Sequence, residues 1–237
     1  MPGKKPQNRK KARKTEYLDV IAGKYFIFCE GEKTEPNYFA GFRKAIKEDP
    51  IYKNAVIETI GVGAGTLRVI KAAEEYVVKN SIENAQIWCV YDKDSFPDKD
   101  FNAVSERATN LNARETSRKK GITYEVAWSN QCVEYWFILH FDFYDSDNDR
   151  EYYIKYLKKK FKDLDLAPYK KNDKNIFDIL TEYGDPKLAI RRAHKRLKSC
   201  EDMGLTTDTQ CAPATKVYLL VNELAKYLPE RIKGKYR

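Results

Sequence analysis

The sequence predicts an α/β fold, with a mainly parallel four-stranded sheet flanked by helices and then a helical C-terminal extension. Over residues 21–142, short apolar segments alternate with amphipathic helical patterns. Short loops join them, which is typical of parallel strands linked by right-handed crossovers. From residue 143 to 237 the pattern indicates helices only. A chain of 237 residues can bury a full hydrophobic core without a disulfide or a structural zinc ion.

The four strands are predicted from short apolar runs. They lie at residues 24–29, 55–60, 86–91 and 122–127. The first run, KYFIFC, is apolar almost throughout rather than alternating, which suits a strand that is covered on both faces. Helices are expected from Thr34, from Thr66 and over about residues 102–119, so that strand and helix alternate.

Beyond residue 130 helical patterns follow one another. Asn130 is expected to cap a helix that runs from Gln131 to His140. Further helices are expected to begin near Arg150, Asn175, Pro186 and Pro213. This segment is predicted to form an extension, residues 143–237, that packs on the α/β core.

Most of the excess positive charge lies in the first fourteen residues. They hold seven lysines and arginines and no acid, and without them the net charge of +9 falls to +2. We therefore predict a basic, flexible arm over residues 1–20. Such an arm can bind nucleic-acid phosphates. The residues proposed for this are Lys10, Lys11, Arg13 and Lys14. A solubilising tail is an equally open interpretation.

Composition argues against several classes of protein. The five cysteines form no CxxC pair and there are only two histidines, which argues against a structural zinc site. No apolar run reaches membrane-spanning length, and no apolar segment follows the basic N-terminus. We expect no membrane partner and a cytoplasmic protein in which Cys29 and Cys89 are buried, reduced thiols.

Acidic residues follow two of the predicted strands. Glu30 comes directly after the first strand, and Asp92 and Asp94 follow the third. Because parallel strands end at the same edge of a sheet, these carboxylates can meet if their strands are neighbours. Gathered carboxylates repel one another unless a cation neutralises them, and Mg²⁺, with Mn²⁺ as the alternative, prefers oxygen ligands. Solvated loop acids are the alternative interpretation, which the paired acidic strand ends disfavour.

Four sequence motifs resemble those of the RloB-like proteins. They are FCEGEKTEPNYF at 28–39, VYDKDSF at 90–96, WSNQCVEYWFILHF at 128–141 and PATKV at 213–217. The resemblance extends from about Lys24 to Leu228 and implies a Toprim-type catalytic core, that is, a Toprim-like Rossmannoid fold. Its metal-binding pattern maps onto Glu30, with Asp92 and Asp94 as the metal pair. NQC replaces the expected NPC, and PAT replaces PST, but no carboxylate is lost.

The resemblance also implies a nuclease-like effector of bacterial antiphage defence. Such proteins are often encoded near an ATPase of the AAA or ABC-like class, which is therefore the expected protein partner beside nucleic acid. Two further acids are candidates for metal binding: Glu134, the only charge between residues 132 and 139, and Glu35. Their alternative roles are favourable charges near helix N-termini. Lys93 is a candidate catalytic lysine, and Lys33 and Lys216 are candidate phosphate contacts; the alternative for all three is a lysine that only balances nearby charge.

The leading hypothesis is an Mg²⁺-dependent nuclease that hydrolyses phosphodiester bonds of RNA or DNA. In it, Glu30, Asp92 and Asp94 hold metal and Glu134 assists. The main alternative is a non-catalytic effector that binds nucleic acid or an ATPase on the same fold. Nucleotidyl transfer has less support, because no second nucleotide-binding motif is present. RNA and DNA remain open as substrates, and a homodimer is one alternative for the oligomeric state.

Overall fold

A computed structural model describes residues 23–63 and 65–237 of the chain. The predicted basic arm, with Lys10, Lys11, Arg13 and Lys14, lies outside the described residues. The strands are β1 (Lys24–Cys29), β2 (Ile57–Gly61), β3 (Ala85–Asp92), β4 (Ile122–Asn130) and β5 (Ala214–Thr215). The helices are α1 (Thr34–Lys47), α2 (Thr66–Lys79), α3 (Asp98–Ala113), α4 (Glu115–Lys119), α5 (Val133–Ile138), α6 (Arg150–Asp163), α7 (Ile176–Tyr183), α8 (Pro186–Asp202), α9 (Val217–Ala225) and α10 (Glu230–Lys233).

The sheet has the strand order β2-β1-β3-β4-β5. The first four strands are parallel, and β5 pairs with β4 in the antiparallel direction. The predicted α/β fold with a mainly parallel sheet, flanking helices and a helical C-terminal region is therefore confirmed. Because β1 lies beside β3, Cys29 pairs with Val90, and the residues that follow both strands emerge at one edge.

The central strands are covered on both sides, as their apolar sequences predict. Successive β1 residues alternate between two cores: Ile27 packs in one and Phe28 in the other. The first core contains α1, α5, α7 and α9, and the second contains α2 and α3. All five cysteines are buried and free, in agreement with the prediction for Cys29 and Cys89. No helix among the described residues is long and apolar enough to cross a membrane.

Three predicted helices differ from the structure. The helix expected from Gln131 to His140 is only α5, Val133–Ile138, because β4 continues to Asn130, which pairs with Ala214 of β5 instead of capping a helix. The helix expected from Pro213 begins only at Val217, because Ala214 and Thr215 form β5. The buried Thr215 hydroxyl donates to the Trp128 carbonyl oxygen at 3.0 Å, and the Lys216 amide does so at 2.8 Å, which ties this segment to the sheet. The expected helix over 102–119 is two helices, α3 and α4, because Arg114 has an extended backbone.

The extension packs closely on the core through α1 and α7. Gly41 of α1 faces Phe177 of α7, and a Cβ at Gly41 would lie only 2.2 Å from the Phe177 Cβ. The aromatic rings of Phe42 and Phe177 meet edge-to-face with centroids 4.6 Å apart. This contact holds α7 of the extension against α1 of the core.

Candidate active site

A cavity of about 370 Å³ opens at the carboxyl ends of β1 and β3. Five acidic side chains line it: Glu30, Glu35, Asp92, Asp94 and Glu134. They come from two strand ends and from the first turns of α1 and α5. The fold therefore brings together every carboxylate that the sequence predicts to bind metal.

The neighbouring positions of β1 and β3 set the contact between Glu30 and Asp92. The Glu30 amide donates to the Val90 carbonyl oxygen at 2.9 Å, which continues the pairing of the two strands. The Asp92 amide in turn donates to the Glu30 carboxylate at 3.1 Å. The Glu30 carboxylate is thus fixed by a backbone hydrogen bond from Asp92, and the strand pairing positions the Asp92 backbone.

Backbone hydrogen bonds hold residues 93 and 94 beside the end of β4. The Lys93 amide donates to the Ser129 carbonyl oxygen at 2.9 Å, and the Asp94 amide donates to that of Gln131 at 3.0 Å. Asp94 has a φ of 40°, a left-handed conformation that aspartate tolerates better than most residues. The Lys93 ammonium donates to the Phe96 carbonyl oxygen at 2.6 Å and pairs with the exposed Asp98. Asp94 lines the cavity, whereas Lys93 does not; a catalytic role for Lys93 stays a prediction.

Glu35 and Glu134 line the cavity and are almost completely buried. A Cβ at Gly31 would lie 2.5 Å from a Glu35 carboxylate oxygen, so any side chain there would displace the Glu35 carboxylate. The Tyr169 hydroxyl donates to the Glu134 carboxylate at 3.1 Å, and the Lys171 ammonium is 3.8 Å from the same oxygen. The segment between α6 and α7 therefore contributes to the site.

Burial raises the pKa of four of these acids. Removal from water is the largest cause in each case, because a low-dielectric environment disfavours the charged form. The pKa of Glu30 rises to about 7, and the nearby Asp94 and Glu35 carboxylates add to the rise. The pKa of Asp92 lies well above its usual range, and those of Glu35 and Asp94 are also raised. These carboxyl groups therefore favour the protonated form unless a cation stabilises their charged form.

Arg150 supplies positive charge at the centre of this cluster. Its Nη2 lies 3.0 Å from Asp92 Oδ2 and 2.5 Å from Asp94 Oδ2. Arg150 begins α6, where the Asp149 side chain caps the helix by accepting from the Tyr152 amide. The sequence does not predict Arg150 or Lys171 as site residues, since only the packing of the extension brings them to the strand ends. A capped helix start is the one sequence signal near Arg150.

The acids fit a divalent cation in their chemistry but are not arranged around one. Within residues 23–63 and 65–237, no group of three or more His, Cys, Asp or Glu side chains is positioned to hold a metal ion. The physical reason at Asp92 and Asp94 is the Arg150 guanidinium, which lies against both carboxylates. The donors themselves are all carboxylate oxygens, which are the ligands that Mg²⁺ and Mn²⁺ take.

The candidate phosphate contacts have separate positions. Lys33 is exposed and directly precedes α1, next to the cavity residue Thr34. Lys216 pairs with Asp208 at 3.0 Å and lies over the Trp128 ring, 5.2 Å from its centroid. It does not line the acidic cavity. A role in nucleic-acid binding stays a prediction for both lysines.

Comparison with known families agrees with this arrangement of motifs. A family model described as RloB-like protein matches residues 25–224, which includes all five acids, Arg150 and Lys171. The chain belongs to the RloB-like family. The resemblance drawn from the sequence motifs is therefore confirmed, while the Toprim interpretation of the RloB-like core stays a prediction. No curated protein and no solved structure matches the chain.

Proposed function

We propose that this RloB-like protein is a divalent-cation-dependent nuclease that hydrolyses phosphodiester bonds of RNA or DNA. The observation that carries the proposal is the convergence of five largely buried carboxylates in one cavity at the strand ends. Burial of this much like charge is unfavourable unless a cation neutralises it. A structural role alone does not explain why all five acids point to one opening.

Glu30, Asp92 and Asp94 would hold the metal, and Glu35 and Glu134 would add negative charge to the same cavity. Bound Mg²⁺ or Mn²⁺ supplies charge stabilisation for a phosphoryl oxygen and lowers the pKa of a bound water. The protein's own contribution is to fix the carboxylates. The β1–β3 hydrogen bonds orient Glu30 and Asp92, and Tyr169 orients Glu134.

A basic surface on the extension supports a nucleic-acid substrate. Residues 143–237 contain 21 basic and 15 acidic residues, whereas residues 15–142 contain 16 basic and 20 acidic residues. Helix α6 begins in the cavity at Arg150 and presents four exposed lysines along one face: Lys155, Lys158, Lys159 and Lys162. Among the described residues, none of the four lies within 4 Å of a carboxylate. Such a face suits a phosphate backbone that leads to the cavity.

One observation favours the second candidate function, a non-catalytic effector that binds nucleic acid or an ATPase. Arg150 already neutralises part of the acidic cluster, so a metal ion is not the only way to stabilise it. The nuclease proposal is preferred because one arginine and one distant lysine face five carboxylates. The family resemblance extends either function to antiphage defence in the cytoplasm beside an AAA or ABC-like ATPase.

Cleavage assays with Asp92→Asn test the nuclease proposal. Wild type is expected to cleave RNA or DNA with Mg²⁺ or Mn²⁺ and to lose cleavage when the ion is chelated. Asp92→Asn keeps the shape of the side chain but removes a predicted ligand, so cleavage should fall to background. Glu106→Gln removes an exposed acid from α3, outside the cavity, and should cleave like wild type. Equal cleavage by wild type and Asp92→Asn would contradict the mechanism.

A further inference from the structure

We propose that Arg150 is an internal cation that competes with the divalent ion for Asp92 and Asp94 and that, once displaced, binds the substrate phosphate. This inference rests on the proposed function, since it concerns the same cavity. It adds a regulatory property, because metal binding would require movement of a side chain from the C-terminal extension.

The first argument is direct contact with the metal-binding carboxylates. One nitrogen, Nη2, lies within ion-pair distance of both Asp92 and Asp94. A divalent ion and a guanidinium that bind the same two carboxylates repel each other, so each weakens the binding of the other. The contact therefore places a cation where a metal ion would bind Asp92 and Asp94.

The second argument is that the helix itself does not favour this arginine. Arg150 is the first residue of α6, where the partial positive charge of the helix dipole disfavours a cation. The guanidinium also leaves its buried Nε without a hydrogen-bond partner in the described structure. The attraction of Asp92 and Asp94 therefore holds Arg150 in place against the helix dipole and the unpaired Nε. A more strongly bound cation at the same carboxylates would remove that attraction.

The third argument is that the side chain has room to move. Arg150 lines the acidic cavity and also a second, wider depression of about 760 Å³ that is bordered by Phe96 and Gln131. Its side chain keeps 37% of its surface exposed. The guanidinium can therefore leave the carboxylates while its backbone stays fixed in α6. A phosphate bound at the metal would offer the displaced guanidinium an anionic partner, in competition with Asp147, Asp149 and Glu151, which also border the depression.

Lys171 has a different role from Arg150 on this geometry. Its ammonium is 3.8 Å from Glu134 and makes no ion pair within 4 Å with Asp92 or Asp94. Both side chains add positive electrostatic potential to the cavity, but only Arg150 forms ion pairs with the two aspartates. Replacement of each cation by glutamine therefore separates direct competition from a general effect of charge.

The test is a titration of Mn²⁺ into the full chain by calorimetry, with wild type, Arg150→Gln and Lys171→Gln. Arg150→Gln should bind Mn²⁺ about tenfold more tightly than wild type, because the carboxylates no longer have to release a cation. Lys171→Gln should show a smaller gain. Arg191→Gln removes an exposed arginine of α8 and should bind like wild type. Equal or weaker Mn²⁺ binding by Arg150→Gln would overturn the inference.

The gain in Tm on addition of Mn²⁺ provides a readout that a merely structural arginine would not affect. Competition predicts that Arg150→Gln has a lower Tm than wild type without metal and gains more Tm from saturating Mn²⁺. A structural role predicts the same loss of Tm with and without Mn²⁺, which would overturn the inference. If Arg150→Gln does not fold, Arg150→Lys keeps the charge without the planar fork and should give the same change to a smaller extent.

Substrate binding tests the second half of the inference. With Ca²⁺ in place of Mg²⁺ to slow cleavage, Arg150→Gln should bind the intact nucleic acid that wild type cleaves about tenfold more weakly than wild type does. Unchanged binding would refute the phosphate role. The two proposals fail in distinguishable ways: absence of Mn²⁺ binding in every variant removes the metal centre itself, whereas equal binding in wild type and Arg150→Gln removes only the role of Arg150.

Discussion

At the scale of single residues, burial determines the chemistry of the ionisable groups. Asp92 and Glu134 are acids in positions that a hydrophobic residue would fill in an ordinary core. Each is stabilised by a particular neighbour, Arg150 for Asp92 and Tyr169 for Glu134. Burial raises the pKa of an acid but lowers the pKa of a basic group, because loss of water always disfavours the charged form.

His140 gives a prediction about stability and pH. Burial lowers its pKa from 6.5 to about 4, although hydrogen bonding to the Trp136 carbonyl oxygen and the charge of Asp185 raise it, while Arg192 lowers it further. Between pH 4 and 6.5 the unfolded state therefore binds more protons at His140 than the folded state. The free energy of unfolding falls as the pH falls through that range. At pH 5 the loss is about 2 kcal/mol.

Urea unfolding at pH 7 and pH 5 measures this effect. His140→Gln removes the titrating group, so its free energy of unfolding should fall less than that of wild type between the two pH values. The acids of the cavity titrate in both proteins, so their contribution to the pH dependence cancels in the comparison. The same pH dependence in wild type and His140→Gln would refute the role of His140.

At the scale of elements, the interface between α1 and α7 holds the extension on the core. Gly41→Ala adds a Cβ that would overlap the stiff Cβ of Phe177, so the two helices would have to separate. The better helix propensity of alanine offsets only part of this strain, and we expect a loss of about 2 kcal/mol in the free energy of unfolding.

Denaturant unfolding of Gly41→Ala checks the interface. Gly234→Ala is the matched control, because nothing lies within 4 Å of a Cβ there and its φ of −60° suits alanine. The control should unfold within about 0.5 kcal/mol of wild type. A Gly41→Ala protein as stable as the control would mean that the helices are not in close contact.

The elements differ in how far the sequence predicts them. β1 is recovered with its bounds, because an apolar run between polar segments is a local signal. β5 has only two residues and no periodicity, and it exists because β4 offers it an open edge. Glu30, Asp92 and Asp94 could be predicted to meet because they follow strands. Arg150 could not, because its position depends on how the extension packs.

At the scale of the whole molecule, the two parts of the chain carry complementary charge. The acidic cavity belongs to the strand ends of the core, and the basic face of α6 belongs to the extension. Arg150 lies at their junction, at the start of α6 and against Asp92. A nucleic acid that follows α6 would therefore reach the carboxylates with its backbone already neutralised.

Replacement of the four α6 lysines by glutamine should weaken nucleic-acid binding and its dependence on salt. If each lysine contacts one phosphate, the slope of log K against log salt should fall in magnitude by about 3. The measurement is fluorescence anisotropy over a series of salt concentrations. A control with four other exposed lysines replaced removes the same charge: Lys53, Lys71, Lys79 and Lys120. Equal slopes in the two variants would exclude α6 as the binding face.

The central claim is that the acidic cavity binds a divalent ion, and calorimetric titration of Mn²⁺ tests it most directly. Wild type is predicted to bind Mn²⁺, and Asp92→Asn is predicted to bind it at least about tenfold more weakly. Glu106→Gln, which removes an acid outside the cavity, should bind like wild type. Absence of binding in wild type, or equal binding in wild type and Asp92→Asn, would contradict the claim.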